Sequence, residues 1–263
     1  MNVTVNGLPV SVDVAGAGEP ILFVHGFPLN RRMWQAQTTS LSDHFHVIAP
    51  DLRGFGAGQE VSPVVTMEEY ADDLAALLDA LDVREPVNLC GLSMGGYVAF
   101  AFFRRHRQRL RRLMLCDTKA VADTPEKKLD RERTADDVLK HGTAKIVQEI
   151  PGSLLCNETI LTRPEIIRAV REIMAEISSA GVAAALRGMA VRRDSSDLLK
   201  HIDVPTLVLC GADDAVSPPA EMRSMAEMIP KAVFVQVPSA GHLSPVENPA
   251  DVNDAIRDFL MRH

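Results

Sequence analysis

Short apolar segments rich in β-branched residues recur along this chain and alternate with stretches of helical periodicity. The first two are predicted to form a hairpin and the others buried strands. Because parallel strands need a crossover between them, usually a helix, this alternation predicts an α/β fold with a mostly parallel sheet flanked by helices on both faces. The segments are VTVNG and PVSVDV near the start, PILFVHG (20–26), HVIAPD (46–51), VNLCG (87–91), LMLCD (113–117), TLVLCG (206–211) and VFVQV (233–237).

The clearest helical pattern lies between the strands HVIAPD and VNLCG. Thr66 and Glu69 have the spacing of a capping box, which predicts a helix that begins after Thr66. Four leucines then fall on one helical face, the pattern of a helix packed against a sheet. They are Leu74, Leu77, Leu78 and Leu81.

The strand rhythm stops between residues 119 and 199, where no convincing strand occurs. This stretch includes an amphipathic pattern with apolar residues from Ile166 to Ile177. We therefore predict a helical cap at residues 119–199, inserted into a core formed by residues 1–118 and 200–263.

Composition is ordinary for one globular unit, with 263 residues, 46% hydrophobic, and a net charge of −7. That charge argues against a nucleic-acid partner or an anionic membrane surface. The N-terminal segment has neither a basic region nor a long apolar run, so no signal peptide and no membrane span are expected. Four dispersed cysteines favour a reducing compartment, and we expect a cytoplasmic protein. No CxxC or HExxH pattern is present, so we expect neither a metal nor a cofactor.

The segment GLSMGG (91–96) carries the strongest chemical signal. It lies directly between a predicted strand and a predicted helix, the setting that the GxSxG nucleophile turn requires. Such a turn is tight, and flanking glycines remove side chains that would collide. Ser93 is therefore predicted to project above the sheet as a nucleophile.

A serine nucleophile needs a base, and His242 in SAGHLSPVENP is the candidate that follows the final strand. His25 begins the loop HGFP, at the end of the predicted strand PILFVHG. The remaining histidines lie in charged or linker-like surroundings and are expected to be solvated. They are His44, His46, His106, His141, His201 and His263.

The base in turn needs a buried carboxylate to orient it. GADDAVSPP (211–219) offers Asp213 and Asp214 after a buried strand, and the spacing favours Asp214. Asp117, at the end of the strand before the predicted cap, is a rival, so three candidates stay open.

Acyl transfer also requires donors for a developing oxyanion. In the loop HGFP after the first buried strand, Phe27 can supply a backbone N–H whereas Pro28 cannot. The backbone N–H of Met94, next to Ser93, would be the second donor. Trp34, which follows this loop, is a candidate for substrate contact, although packing in the core is the favoured interpretation.

Five segments together resemble the α/β-hydrolase superfamily, in its serine-nucleophile branch. They are VHGFPLNRRMW, PDLRGFG, CGLSMGGYVAF, LVLCGADDAVSPP and SAGHLSPVENP, and they occur in the family's order. The resemblance implies an eight-stranded sheet, a cap over the site, and hydrolysis through an acyl-enzyme. We expect a carboxylesterase of small esters, with Leu186 and Met189 lining a modest apolar pocket. One departure is Gly58, where the family commonly has a serine.

Several alternatives stay open at this point. The chain also resembles 3-oxoadipate enol-lactonases, which would want an arginine of the cap aimed at a substrate carboxylate. In cofactor-free perhydrolases a proline follows the oxyanion residue, as Pro28 follows Phe27 here. This resemblance implies perhydrolysis as a side activity. A ligand-sensing protein on the same fold is the competing class, and the oligomeric state is left open. The candidate cap arginines are Arg133, Arg163, Arg187 and Arg192.

Overall fold

The computed structural model describes residues 1–56, 61–149 and 151–262. Gly58 and His263 lie outside the described residues. The strands are β1 (Asn2–Val5), β2 (Leu8–Ala15), β3 (Glu19–Val24), β4 (Phe45–Pro50), β5 (Val87–Leu92), β6 (Leu110–Cys116), β7 (Thr206–Gly211) and β8 (Ala232–Val237).

Helices connect and cover these strands. The helices are α1 (Gln35–Leu41), α2 (Met67–Ala80), α3 (Met94–His106), α4 (Pro125–His141), α5 (Ala144–Glu149), α6 (Pro151–Leu154), α7 (Asn157–Thr162), α8 (Pro164–Ala175), α9 (Ser179–Ala190), α10 (Ser196–Leu199), α11 (Pro219–Glu227), α12 (Ser244–Glu247) and α13 (Pro249–Arg262).

The eight strands form one sheet in the order β1-β2-β4-β3-β5-β6-β7-β8. The β1–β2 and β2–β4 pairs are antiparallel, and all the other neighbouring pairs are parallel. The predicted α/β class, with a mostly parallel sheet of eight strands, is confirmed. The central strands β5 and β7 are buried at every residue, as expected for parallel strands covered on both faces.

Helix α2 shows how local sequence sets an element boundary. The hydroxyl of Thr66 accepts a hydrogen bond from the N–H of Glu69, and the Glu69 carboxylate accepts one from the N–H of Thr66. This capping box satisfies two backbone donors that the helix itself leaves unpaired. Buried leucines then place α2 against α3 and the sheet.

Between β6 and β7 the described chain is helical, from α4 to α10. The helices α4 and α9 pack against each other and lie over the carboxyl edge of the sheet. These two helices lie in the stretch predicted as a cap. That residues 119–199 form a separate structural unit remains a prediction. Among the described residues, no helix is both long and apolar enough to cross a membrane.

Candidate active site

Ser93 lies on the turn between β5 and α3, in a left-handed conformation with a φ of 53°. Two glycines allow this turn to close. A Cβ on Gly91 would lie 2.3 Å from the carbonyl oxygen of Gly95, and a Cβ on Gly95 would lie 2.2 Å from that of Val24. Both distances are well inside van der Waals contact. The turn therefore requires glycine at these two positions, and it presents the Ser93 side chain at the edge of the sheet.

The structure brings Ser93, His242 and Asp214 together in one chain of hydrogen bonds. His242 Nε2 lies 2.8 Å from Ser93 Oγ, and its Nδ1 lies 2.9 Å from Asp214 Oδ2. Because a carboxylate can only accept, Nδ1 carries the imidazole proton and donates it to Asp214. Nε2 is then unprotonated and accepts a hydrogen bond from the serine hydroxyl. His242 is therefore oriented as a base toward Ser93.

The Asp214 carboxylate is buried and well bonded. Its Oδ1 accepts hydrogen bonds from the backbone N–H groups of Val216 and Ser217, at 2.7 and 2.9 Å. Burial acts to raise the pKa of Asp214, but the hydrogen bond and charge of His242, followed by the two N–H groups, outweigh it and hold the pKa below its ordinary value. Asp214 is thus an anion at neutral pH, as required of a group that stabilises a histidine cation.

The two rival carboxylates have other surroundings. Asp213 is exposed. Asp117 is fully buried, where its two oxygens accept hydrogen bonds from the Gly211 N–H at 2.8 Å and the Ser244 hydroxyl at 2.5 Å. Burial, followed by the neighbouring charge of Asp214, raises the pKa of Asp117 well above its ordinary value. Of the three candidates, Asp214 is the one bonded to His242.

Asp117, Asp214 and Cys210 also form a compact buried group, with one ligand atom of each within 4.8 Å of the others. Protein donors already occupy both carboxylates. The Cys210 thiol donates to backbone carbonyl oxygens at 3.3 Å, and burial raises its pKa, which disfavours the thiolate that a metal would bind. The donor set is therefore that of an internal hydrogen-bond network.

The loop between β3 and α1 passes beside the nucleophile. A Cβ on Gly26 would lie 2.8 Å from a side-chain carbon of Leu92 and 3.4 Å from Cβ of Ser93, so the loop backbone is in close contact with the turn. Phe27 follows Gly26 and shares a cavity wall with Ser93. Met94 is the first residue of α3, where the backbone N–H groups of a helix start are directed toward the turn.

Ser93 and His242 lie on the wall of a cavity of about 630 Å³ that residues of α4, α5, α6 and α9 also line. Apolar side chains, including the predicted Leu186 and Met189, and charged side chains from α4 and α5 both line this cavity. The apolar residues are Phe27, Ile146, Leu154, Leu186, Met189 and Val216, and the charged residues are Lys127, Asp130, Arg131, Arg133, Asp137, Lys145 and Glu149.

The structure corrects the suggestion that Trp34 contacts substrate. Its side chain is fully buried in the core, and its ring centroid lies 4.7 Å from that of Phe23. Trp34 is not among the residues that line the cavity. The large ring of Trp34 packs in the core, in agreement with the interpretation that the sequence favours.

The four candidate arginines separate clearly. Arg187 pairs with Glu132 and Asp136, and Arg192 pairs with Asp123 while lying 4.1 Å above the ring centroid of Tyr97. The Arg163 guanidinium donates to the backbone carbonyl of Glu247 at 2.5 Å. Arg133 is the one that lines the cavity, where its side chain is exposed.

Sequence reasoning missed Glu247, a buried carboxylate five residues after His242. It accepts hydrogen bonds from the backbone N–H groups of Gly241 at 2.7 Å and Cys156 at 2.8 Å. In the sequence, the only indication of a role for Glu247 is its place in the segment SAGHLSPVENP, where the pattern predicts an ordinary helical residue. Its partner Cys156 is 91 residues away, so the contact emerges only in the folded chain.

Comparison with known proteins places this geometry in a family. Residues 21–255 match the model of the Alpha/beta hydrolase family. The chain belongs to that family. It is 48% identical to a thermophilic esterase from Thermogutta terrifontis whose structure has malate bound, covering 100% of this chain and 98% of that one with a TM-score of 0.96.

Two further proteins to which the chain is similar are enol-lactonases. The enol-lactonase from Burkholderia xenovorans LB400 is 27% identical over 99% of this chain and 100% of that one, with a TM-score of 0.91. A 3-oxoadipate enol-lactonase 2 from Acinetobacter baylyi is 27% identical over 92% of this chain and 88% of its own length. These relatives confirm the predicted superfamily, and they confirm that this family member is a hydrolase.

Proposed function

We propose that this hydrolase acts on ester bonds and cleaves small carboxylic esters through an acyl-enzyme formed on Ser93. The single observation that carries the proposal is the hydrogen-bond chain from Ser93 Oγ to His242 Nε2 and from His242 Nδ1 to Asp214, at the wall of a cavity. The esterase relative that is 48% identical supports this reaction class.

The proposed first half-reaction acylates the serine. His242 Nε2 takes the proton from Ser93 Oγ as that oxygen attacks the ester carbonyl carbon. The Asp214 carboxylate stabilises the imidazolium that forms. When the tetrahedral intermediate collapses, the C–O bond to the alcohol breaks and His242 gives its proton to the departing oxygen. The acyl group is left on Ser93.

In the second half-reaction, His242 deprotonates a water molecule that attacks the acyl carbon. The second tetrahedral intermediate releases the acid and returns the proton to Ser93 Oγ. In both halves we assign the backbone N–H groups of Phe27 and Met94 to the oxyanion. The close approach of the Gly26 loop to Ser93 supports the first assignment, and the position of Met94 at the start of α3 supports the second.

The cavity supports a small, partly apolar substrate. A volume of about 630 Å³ accommodates a compact ester, and Leu186 and Met189 offer apolar contact within the same cavity as Ser93. The shape of the cavity and the charged side chains that line it would then select among esters. We assign Leu186 and Met189 to the acyl or alcohol group of the substrate on this basis.

The test is steady-state hydrolysis of p-nitrophenyl esters from acetate to octanoate by wild type and Ser93→Ala. We expect turnover to fall at least about 10³-fold in the variant. Ser62→Ala is the matched control, because Ser62 is exposed and its hydroxyl donates to the Val64 carbonyl oxygen two residues away. Undiminished turnover in Ser93→Ala would refute the assignment, and binding without turnover in the wild type would favour the ligand-sensing alternative.

A second candidate function is hydrolysis of an ester or lactone that carries a carboxylate, as in an enol-lactonase. Arg133 and Lys145 line the cavity, and neither forms an ion pair within the part of the chain that the structure describes. A substrate carboxylate could bind these cations. The enol-lactonase relatives support this candidate.

Paired substrates distinguish the two candidates. A hemisuccinate ester and a butyrate ester of the same alcohol differ mainly in one distal carboxylate. If the cations bind it, Arg133→Gln lowers kcat/KM for the hemisuccinate about tenfold and leaves the butyrate unchanged. Arg168→Gln, on the outer surface of α8, is the control. Equal effects on both esters would exclude the carboxylate site.

A further inference from the structure

Glu247 is a buried carboxylate that the proposed reaction does not use. Only 1% of its surface is exposed, and it ends the short helix α12 that follows His242. Each of its oxygens accepts one backbone N–H: Oε1 from Gly241 and Oε2 from Cys156. Gly241 directly precedes His242, whereas Cys156 directly precedes helix α7. One carboxylate thus joins the loop of the proposed base to the helical layer above the sheet.

A further hydrogen bond, between two backbone groups, joins the same two segments of the chain. The backbone N–H of His242 donates to the carbonyl oxygen of Leu154 at 2.8 Å. The two segments are in such close contact that a Cβ on Gly241 would lie 2.7 Å from the Cys156 nitrogen. The backbone hydrogen bond from His242 to Leu154 and the two hydrogen bonds to the Glu247 carboxylate therefore hold residues 241–242 against residues 154–156.

This bonded unit also forms part of the cavity. The Leu154 and His242 side chains both line its wall. A displacement of the segment 154–156 would therefore carry His242 with it. The imidazole would then leave its position 2.8 Å from Ser93 Oγ, because hydrogen-bond geometry tolerates only a few tenths of an ångström.

We propose that Glu247 is a positioning residue that locks His242 to the cavity segment 154–156, so that the imidazole bonds to Ser93 only while Leu154 is in place on the cavity wall. The inference rests on the proposed function, in which His242 is the base. In this arrangement Leu154, on the cavity wall that touches substrate, and His242, the base that activates Ser93, belong to one bonded unit.

A carboxylate is suited to this role because both of its oxygens accept and neither donates. In Glu247→Gln, one oxygen becomes an NH₂ group that faces a backbone N–H. The variant therefore loses one of the two bonds and places two donors against each other. The link is weakened without a large change in side-chain volume.

The experiment compares Glu247→Gln with wild type in three measurements. The first is kcat and KM for p-nitrophenyl butyrate across pH 5–9, on protein whose folding is checked by circular dichroism. The second is the low-field NMR resonance of the His242 Nδ1 proton, which reports its hydrogen bond to Asp214. The third is the rate at which a fluorophosphonate labels Ser93. We expect kcat and the labelling rate to fall about tenfold, KM to change less than threefold, and the proton resonance to shift or broaden.

Two further variants complete the design. Arg163→Gln removes the guanidinium bonds to the Glu247 and Ser239 carbonyl oxygens and to the Thr159 hydroxyl, but neither carboxylate bond of Glu247, so its kcat and NMR resonance should match wild type. Cys156→Pro removes the N–H that donates to Oε2 of Glu247, together with the Sγ that accepts the Thr159 N–H at the start of α7. The φ of −69° at this residue suits proline, and the variant is used if Glu247→Gln does not fold. We expect a smaller fall in kcat for it.

The outcomes separate cleanly. If a folded Glu247→Gln or Cys156→Pro keeps the wild-type kcat, pH profile and resonance, and loses only thermal stability, the residue is structural and the proposal is overturned. Ser93→Ala is assayed in parallel. Activity that survives in Ser93→Ala overturns the proposed function itself, whatever the Glu247 variants show.

Discussion

Protonation of His25 is expected to destabilise the fold as the pH falls below 6.5. His25 is fully buried at the start of the loop that carries Phe27. Its Nε2 accepts the backbone N–H of Leu52 at 3.0 Å, so Nδ1 bears the proton and donates to the Gly26 carbonyl oxygen, also at 3.0 Å. A second proton on Nε2 would face the Leu52 N–H. The neutral ring therefore fits this position, whereas the cation does not.

The pKa of His25 sets the size of the effect. Burial lowers it from 6.5 to about 4, against the smaller opposing effect of the Gly26 carbonyl, and the charge of Arg31 adds to the decrease. A histidine in the unfolded chain gains its proton near pH 6.5, so between pH 6.5 and 4 the unfolded state binds more protons. Stability is thus complete above pH 6.5 and is lost as the pH falls. From pH 7 to pH 5 the loss is about 2 kcal/mol.

Urea denaturation of wild type and His25→Gln at pH 7 and pH 5 measures this loss. A glutamine oxygen can accept the Leu52 N–H but does not titrate, and other titrating groups are common to both proteins. We expect the variant to be less stable at pH 7 by about 1–3 kcal/mol. The difference should shrink by about 2 kcal/mol at pH 5. If both proteins lose stability in parallel, the argument from burial is refuted.

Four further substitutions test other parts of the structure. Asp214→Asn should lower kcat about 10⁴-fold by reversing the imidazole tautomer, whereas Asp117→Asn should leave kcat within a few-fold, both measured with p-nitrophenyl butyrate. Because the folded pKa of Asp117 is raised, Asp117→Asn should also gain stability relative to wild type as the pH rises above about 4, seen in urea titrations. Thr66→Ala should cost about 1 kcal/mol of unfolding free energy through loss of the α2 cap. Gly95→Ala should prevent accumulation of folded protein in expression trials, since its Cβ would meet the Val24 carbonyl at 2.2 Å.

Much of the fold and of the hydrogen-bond chain could be predicted because the relevant signals are local. Alternating strands and helices determine a parallel sheet, and the carboxyl ends of parallel strands meet at one edge. Ser93 and Asp214 each follow such a strand, and His242 lies in the turn after the last one. Their convergence therefore needs no knowledge of the long-range packing.

Other features depend on contacts between distant segments, which the sequence pattern does not encode. Glu247 and Cys156 are bonded across 91 residues, and Asp117 bonds to Gly211 across 94. Arg133 cannot be distinguished from Arg187 by spacing, since both lie on amphipathic helices. Their surroundings differ because α4 and α9 pack so that Arg187 meets two carboxylates, whereas Arg133 forms no ion pair among the described residues.

The sheet order has a consequence for how the protein is made. Ser93 leaves the ribosome 149 residues before His242, and β8, the last strand, occupies an edge of the finished sheet. A nascent chain can fold its first strands around the serine while that residue still lacks its hydrogen-bond partner. Chemical competence would then appear only at the end of synthesis, so recovery of turnover during refolding would report docking of the final segment of the chain.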